Sequence, residues 1–238
     1  MSSPVDLFSL STAHERVQER LLHAARRAGR RPEDIDLVAV TKNQPPDRAA
    51  EAVRLGYRQL GESRVQEAAG KRVALADLGA TDVRWHLIGH LQSNKARRAV
   101  ELFDCVQSVD SLKLAHLLNQ EGERRAQPVS CLVEVKISDE PAKQGLPPGE
   151  LERFLTDTAR LSFLRIEGLM GVAPLGESAE EARPSFRKLR ALFERFNPHF
   201  LGGRPILSMG MSQDFEVAIE EGSTMIRVGT ALFGPRPA

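Results

Sequence analysis

Two kinds of apolar pattern open the chain. In residues 11–30 apolar side chains recur every three or four positions between charged ones, and Gly29 stands at the end, which predicts an amphipathic helix. Residues 35–41, IDLVAVT, instead form a short continuous apolar run rich in branched side chains. Such a run is typical of a strand covered on both faces, as in a parallel sheet. The chain therefore begins with a helix followed by a buried strand.

The same two patterns repeat to the end of the chain. Seven further strands are predicted, at residues 58–61, 83–88, 103–109, 129–137, 165–170, 206–208 and 224–228. Helices are predicted after the strands, at residues 45–55, 65–78, 93–102, 111–125 (with Asp110 as N-cap), 150–161, 179–196 and 213–221. We therefore predict an α/β protein with one domain over residues 1–238, a (β/α)8 TIM barrel preceded by the opening helix. A doubly wound open sheet shares the alternation and is the alternative.

Composition narrows the class of protein. The 238 residues are 41% apolar and 27% charged, which is ordinary for a soluble globular protein and excludes disorder, collagen and coiled coil. Thirty-three Lys and Arg against 32 Asp and Glu leave a formal net charge of +1, so nucleic acid and anionic membranes are poor candidate partners. No window reaches the roughly 18 apolar residues that span a bilayer, and no signal peptide is evident, so we expect a cytoplasmic protein.

Cysteine and histidine patterns do not favour a metal. Cys105 and Cys131 each lie inside an apolar run, where cysteine behaves as a small buried hydrophobe, and two cysteines form no disulfide framework. His86 and His90 have the spacing H-x-x-x-H, which lacks the glutamate of the H-E-x-x-H zinc motif. We expect no metal site.

Lys42 is the first candidate for chemistry. In (β/α)8 barrels the reacting groups come from the carboxyl ends of the strands, and Lys42 directly follows the run LVAVT. Partial removal of its ammonium from water would lower its pKa toward nucleophilic use. The alternative is a surface lysine whose charged end reaches water.

A candidate phosphate site follows the seventh and eighth strands, where such barrels usually hold phosphate. The segments are SMGMS at 208–212 and RVGTA at 227–231. Glycines let backbone N–H groups approach an anion, the serine and threonine hydroxyls of these segments donate hydrogen bonds, and the helix after residue 212 presents its positive end. Plain turn chemistry is the alternative. A lysine, a phosphate site and the nearby Arg227 together suggest a phosphorylated aldehyde held as a Schiff base, which indicates pyridoxal phosphate.

Six blocks of sequence extend this interpretation. They are LVAVTK ending at Lys42, LGESRVQE at 60–67, WHLIGHLQSNK at 85–95, GLMGVAP at 168–174, LSMGMSQDFEVAI at 207–219 and GSTMIRVGTALFG at 222–234. In these blocks the chain resembles the YggS/PROSC family of pyridoxal phosphate homeostasis proteins, whose fold is similar to the N-terminal barrel of alanine racemase.

The resemblance implies a role for each of several residues. Lys42 would carry the Schiff base with pyridoxal 5'-phosphate, Ser208, Gly229 and Thr230 would hold the phosphate, and Arg227 would face the pyridine nitrogen. Arginine cannot give up its proton, so it would keep the ring nitrogen unprotonated and the ring a poor electron sink. Transamination is therefore disfavoured.

The chain departs from the family pattern at two places. The usual G-E-N is Gly61-Glu62-Ser63 here and is followed by Arg64, so the Ser63 hydroxyl would take over any cofactor contact of the asparagine. The usual V-N-I carries Lys136 in place of the asparagine. Either change would alter affinity for the cofactor, and neither touches Lys42.

Three functions remain open. The preferred one is a protein that holds pyridoxal phosphate and supplies it to apo enzymes, without robust turnover and as a monomer or weak dimer. The second is an enzyme, either a weak amino-acid racemase or a Schiff-base lyase. An efficient racemase needs a second acid/base, usually a tyrosine. The one tyrosine, Tyr57, lies just past a predicted helix end, so His86 or His90 would have to take this role. The third is a barrel that binds a phosphate ligand non-covalently. Lys143 is a candidate second lysine for transfer of the aldehyde.

Overall fold

The eight strands of the described residues close into one parallel barrel. The computed structural model describes residues 9–138, 140, 144–174 and 176–235. The strands are β1 Asp36–Val40, β2 Gln59–Glu62, β3 Arg84–Leu87, β4 Cys105–Val109, β5 Val129–Glu134, β6 Leu164–Met170, β7 Ile206–Met211 and β8 Met225–Val228. Each strand pairs in parallel with its neighbour in chain order, and β8 pairs with β1. This confirms the predicted (β/α)8 barrel and excludes the open sheet; the domain bounds 1–238 stay a prediction.

Helices surround the barrel. They are α1 Leu10–Arg27, α2 Pro46–Arg54, α3 Val65–Asp77, α4 Ala96–Leu102, α5 Leu112–Arg124, α6 Leu151–Thr158, α7 Arg183–Phe196, α8 Phe215–Glu220 and α9 Thr230–Phe233. Most buried apolar side chains form one core between the strands and this outer layer. A second, small cluster fills the barrel interior, with members Val38, Cys105, Leu132, Met170, Ile206 and Met225. Side chains alternate between the two faces of a strand, so each of these six residues shows which positions of its strand point into the barrel.

Several element bounds differ from the predicted ones. The N-cap of α5 is Ser111, whose side chain accepts a hydrogen bond from the Leu114 N–H, so the assignment of Asp110 as cap is wrong by one residue. Strand β7 extends to Met211 instead of ending at residue 208, and β5 ends at Glu134 instead of 137. The one-turn helix α9 was not predicted. The longer β7 matters for the site because it determines which serine stands at the strand end.

The cysteines are buried as expected. Cys105 faces the barrel interior and Cys131 the outer core. Burial raises the pKa of the Cys105 thiol to about 12 and that of Cys131 well above its ordinary value, so both thiols stay protonated and apolar in character. Within the described ranges, no group of three His, Cys, Asp or Glu side chains is arranged to hold a metal ion. No described helix has the length and apolar character to cross a membrane.

A close approach of β6 and β7 makes Gly168 a sensitive position. A Cβ at Gly168 would overlap the carbonyl oxygen of Ile206, which is paired backbone and cannot move aside. Gly168→Ala is therefore expected to lower the free energy of unfolding by about 1–3 kcal/mol through overpacking. Urea unfolding followed by circular dichroism measures this.

Gly70 is the matched control for that substitution. It lies in α3, and a Cβ there meets no atom within 4 Å. Gly70→Ala is expected to raise the free energy of unfolding by about 0.5–1 kcal/mol, because alanine loses less backbone entropy in a helix. If Gly168→Ala were as stable as Gly70→Ala, the tight contact between β6 and β7 would be refuted.

Candidate functional site

The ends of three consecutive strands bring the predicted chemical groups to one side of the barrel. Strand β8 pairs with β1 in the register Val38 to Arg227, and with β7 in the register Met211 to Arg227. Lys42 follows the end of β1 by two residues and is partly exposed. Gly229 directly follows β8 and Ser212 directly follows β7. The closure of the barrel therefore pairs residues that lie 189 positions apart in the sequence, as Val38 and Arg227 do.

The turns after β7 and β8 form the candidate phosphate cup, defined here as Ser212, Gly229, Thr230 and Ala231. The Ser212 hydroxyl oxygen accepts hydrogen bonds from the Gly229 N–H at 3.2 Å and the Ala231 N–H at 3.1 Å. Thr230 is exposed beside them. Backbone N–H groups gathered in a turn make an anion-binding concavity, and hydroxyls add donors. Here the Gly229 and Ala231 N–H groups are donated to Ser212, so the hydroxyl hydrogens of Ser212 and Thr230 are the donors that the cup offers to a phosphate.

Gly229 faces the last residue of the strand that carries the lysine. A Cβ at Gly229 would lie 3.4 Å from the Val40 Cβ and 3.5 Å from the Val40 carbonyl oxygen. Val40 is the last residue of β1, two before Lys42. A methyl group at Gly229 would thus be in van der Waals contact with the strand that ends at the lysine.

Ser208, the serine that the sequence favoured, lies inside the barrel wall. It is fully buried within β7, three residues before the strand ends. Its hydroxyl accepts a hydrogen bond from Arg227 Nη1 at 2.6 Å and donates one to Gln107 Oε1 at 2.7 Å. The structure therefore brings Ser212, and not Ser208, next to Gly229. Phosphate binding by Ser208, which the family resemblance implies, stays a prediction.

Arg227 is a buried cation in the barrel interior. It stands two residues after Met225 on the inward face of β8 and donates to the Gly171 carbonyl at 3.0 Å as well as to Ser208. Burial lowers the pKa of its guanidinium to about 10, while the carboxyls of Glu134 and Asp214 oppose the shift. The guanidinium therefore stays charged at neutral pH and offers only hydrogen-bond donors.

A chain of hydrogen bonds continues from Arg227 through the barrel, and we call it the interior relay: Arg227, Ser208, Gln107 and His86. The Gln107 Nε2 atom lies 3.0 Å from His86 Nδ1. Burial lowers the pKa of His86 to about 3, so the imidazole is neutral, and its Nε2 has no hydrogen-bond partner among the described residues. Sequence reasoning missed Gln107, although a glutamine on the inward parity of the run CVQSV was a visible signal.

Glu134 is a further titratable group that the sequence analysis missed. It is the last residue of β5, two positions after the inward-facing Leu132. Burial raises the pKa of its carboxyl to about 7; Arg227 opposes this shift and Asp110 adds to it. An acidic residue on the inward face at a strand end was the available signal. At neutral pH this carboxyl is partly protonated.

The remaining predicted residues lie around this centre. Ser63 follows β2 and is partly buried; a Cβ at Gly89 would lie 2.5 Å from the Ser63 carbonyl oxygen, so the turns after β2 and β3 are in tight contact. His90 is exposed after β3, with its Nδ1 3.6 Å from Asp110 Oδ2. Lys136 lies beyond β5, partly buried. Lys143 lies outside the described residues.

Comparisons with known proteins identify relatives of this chain. A family model described as alanine racemase, N-terminal domain, matches residues 15–237. The pyridoxal phosphate homeostasis protein of Escherichia coli strain K12 is 42% identical over 224 residues, with 92% of this chain and 94% of that protein covered. The protein of the same name from Aquifex aeolicus strain VF5 is 39% identical over 221 residues, with coverages of 93% and 96%.

Two solved structures are also similar to this chain. The structure of PipY from Synechococcus elongatus PCC7942 with pyridoxal phosphate bound has a TM-score of 0.79 and 41% identity, and the alignment covers 92% of this chain and all of that one. Alanine racemase from Clostridium difficile 630 has a TM-score of 0.69 at 16% identity over 93% of this chain and 56% of that one, which supports the fold alone.

Fold and strand-end site together define a barrel of the alanine racemase N-terminal type. Within that class, the chain belongs to the family of pyridoxal phosphate homeostasis proteins. The family resemblance seen in the six sequence blocks is thereby confirmed.

The raised pKa of Glu134 predicts a pH-dependent stability. A carboxyl whose pKa rises from 4.5 to about 7 on folding binds its proton more tightly in the folded state. Its contribution to stability is present below about pH 4.5 and is lost as the pH rises through 7. Between pH 5 and 8 the free energy of unfolding of the wild type should therefore fall, relative to Glu134→Gln, by on the order of 2 kcal/mol.

Urea unfolding of both proteins at several pH values measures this difference. Glu15→Gln, at an exposed position on α1, is the control and should follow the wild type at every pH. Parallel curves for the wild type and Glu134→Gln would contradict the raised pKa.

Proposed function

We propose that this chain binds pyridoxal 5'-phosphate at the carboxyl end of the barrel and holds it as a Schiff base on Lys42. In this proposal the protein keeps and supplies the cofactor, as part of its homeostasis in the cell, without robust turnover. Apo enzymes that use the same cofactor are the recipients.

One observation carries the proposal: groups suited to the two ends of the cofactor stand on three consecutive strands, Lys42 after β1, Gly229 after β8 and Ser212 after β7. When bound, pyridoxal phosphate supplies an aldehyde, whose carbon joins an amine nitrogen while the carbonyl oxygen leaves as water. Lys42 suits the amine in that exchange. The phosphate cup suits the phosphate, because hydroxyl donors such as those of Ser212 and Thr230 bind an anion more strongly than a neutral group.

The buried Arg227 favours a protein that holds pyridoxal phosphate over an enzyme that uses it for transamination. The family resemblance implies that Arg227 faces the pyridine nitrogen. Its hydrogen bonds to Ser208 and Gly171 fix the guanidinium, and its pKa of about 10 keeps the proton on it. A donor that keeps its proton leaves a facing nitrogen unprotonated, and such a ring withdraws electrons less strongly.

The surroundings of Tyr57 and His86 support the same choice. Efficient racemisation needs a second acid/base on the face opposite the lysine. Tyr57 is buried in the outer core with its hydroxyl 3.0 Å from His14 Nδ1, where it packs against α1. His86 is buried and neutral in the interior relay. Neither residue is available as an acid/base at the strand ends.

Relatives lend further support. The curated relatives named for pyridoxal phosphate homeostasis cover more than nine-tenths of this chain, and PipY holds pyridoxal phosphate in its solved structure. Two segments of the family resemblance, SMGMSQ and RVGTA, occur in this chain without a substitution. They contain the residues of the phosphate cup and the buried arginine.

The first test compares the wild type, Lys42→Ala and Lys113→Ala after loading with pyridoxal phosphate and desalting. Lys113 is an exposed lysine on α5 and serves as control. We expect the wild type and Lys113→Ala to retain a visible absorbance band and Lys42→Ala to lose it, because only Lys42 supplies the condensing amine. Borohydride should fix the cofactor mass on the peptide that contains Lys42.

The same samples test the absence of robust turnover. Addition of L- or D-alanine should give no conversion between the isomers on the timescale of a typical enzyme assay. A colourless wild type, or a band that persists in Lys42→Ala, would refute the Schiff base. Rapid isomer conversion would make the protein a racemase instead of a carrier.

The phosphate cup gives a second prediction. Ser212→Ala removes the hydroxyl that Gly229 and Ala231 contact, and it should weaken cofactor binding by about 1.5–3 kcal/mol, the usual contribution of a hydrogen bond to a charged group. This corresponds to a Kd higher by roughly tenfold to a hundredfold. Thr230→Ala should act in the same direction.

Equilibrium dialysis measures these affinities. Ser178→Ala, at an exposed position before α7, is the control and should leave the Kd unchanged. If Ser212→Ala bound the cofactor as tightly as Ser178→Ala, the cup would have no part in phosphate binding.

A further inference from the structure

A buried ion cluster lies beneath the turn that carries Lys42. Its centre is Lys71 of α3, whose side chain is 3% exposed. The Lys71 ammonium donates to the Thr41 carbonyl oxygen at 2.7 Å, to Glu62 Oε1 at 2.6 Å and to Glu67 Oε1 at 3.0 Å. An ammonium has three N–H groups, so each of them has one acceptor here.

Both acidic residues of the cluster also hold the turn. Glu62 Oε1 accepts the hydroxyl hydrogen of Thr41 at 2.5 Å, and Glu67 Oε1 accepts the backbone N–H of Asn43 at 2.5 Å. Asn43 has a φ of 61°, a left-handed conformation that needs support in a residue other than glycine. The residues directly before and after Lys42 are therefore both tied to the Lys71 ammonium, one directly and one through Glu67.

The burial of these charged groups costs desolvation free energy, so the cluster is a poor means of stabilising the fold. Glu62 is fully buried, its Oε2 has no hydrogen-bond partner in the described structure, and burial raises the pKa of its carboxyl against the opposing charge of Lys71. Replacement of a buried ion pair by apolar side chains is often neutral or stabilising, so such a pair is weak support for a purely stabilising role. What the cluster does supply is a specific geometry of the turn, through its hydrogen bonds to Thr41 and Asn43.

We propose that Lys71 is a positioning residue for Lys42: its buried ammonium fixes the backbone of residues 41–43 and thereby the direction in which the Lys42 side chain leaves β1. Lys71 acts through Thr41, Glu62 and Glu67, and does not itself touch the cofactor. The purpose of this positioning rests on the proposed function, but the positioning itself is a property of the chain alone.

The test is amide hydrogen exchange of the cofactor-free protein, followed by mass spectrometry of the peptide that spans residues 41–44. In Lys71→Met the protection of the Asn43 amide should fall roughly tenfold, because its acceptor Glu67 is no longer held in place. Lys71→Arg keeps a cation with several donors and should restore part of the protection. Glu67→Ala removes the acceptor from a partly exposed position, and it decides the matter if Lys71→Met does not fold.

Arg183→Met is the matched control. Arg183 donates to Glu220 and Glu221 and is likewise a cation between carboxylates, but it contacts no residue of the Lys42 turn. It should leave the exchange of residues 41–44 unchanged. Equal loss of protection in Arg183→Met would reduce the effect to general destabilisation and overturn the proposal, as would wild-type protection in both Lys71→Met and Glu67→Ala.

A second readout concerns the direction of Lys42. In protein loaded with pyridoxal phosphate, the ratio of visible circular dichroism to absorbance reports how uniquely the chromophore is held, and it should fall in Lys71→Met but not in Arg183→Met. If protection falls while this ratio is unchanged, Lys71 holds the turn without positioning Lys42, and the proposal is overturned. A wild type without a visible band refutes the proposed Schiff base, whereas the exchange result, obtained without cofactor, still decides whether Lys71 fixes the turn.

Discussion

The pairing of β8 with β1 is the constraint on which the site depends. This last pairing closes the barrel, and its register sets Arg227 opposite Val38 and Val228 opposite Ala39. Without closure, the amine after β1 and the phosphate cup after β7 and β8 would stand on opposite edges of an open sheet. Parallel strands also direct all their carboxyl ends to one side, so closure alone brings these groups together. The site is thus a consequence of topology before it is a matter of individual side chains.

The buried guanidinium of Arg227 determines a second set of contacts, the hydrogen bonds inside the barrel. A buried charge is costly unless it is hydrogen-bonded, and here the Ser208 hydroxyl and the Gly171 carbonyl satisfy it. Ser208 then needs an acceptor for its own hydrogen, which Gln107 supplies. The same low-polarity surroundings keep His86 neutral and raise the pKa of Glu134 to about 7. One buried cation therefore accounts for two inward polar side chains: Ser208 on β7 contacts it directly, and Gln107 on β4 contacts Ser208.

The fold was predictable from sequence because hydrophobic periodicity reports which faces are buried. Lys42, Gly229 and Thr230 were predictable as well, since their place at strand ends follows from the barrel rule. Gln107 and Glu134 were not found, because one polar residue inside an apolar run carries no signal about its partners, which lie more than 20 positions away. Ser208 was implied by the family resemblance, whereas the barrel rule selected the whole segment 208–212. Because β7 extends three residues beyond the predicted end, Ser212 is the serine that follows the strand. Contacts across strands, unlike periodicity, are set by register, which the local sequence does not encode.

The two ends of the proposed ligand are held by parts of the fold that are anchored differently. Arg20 on α1 donates to the carbonyl oxygen of Ser212 and to both oxygens of Glu216, so the outer helix layer steadies the turn that forms the phosphate cup. The lysine turn is anchored instead from α3, through Lys71 and Glu67. Because the two anchors share no residue, the contacts that hold the cup do not depend on those that hold the lysine turn. In the proposed function, this independence would let the bond to the lysine exchange while the phosphate is still bound.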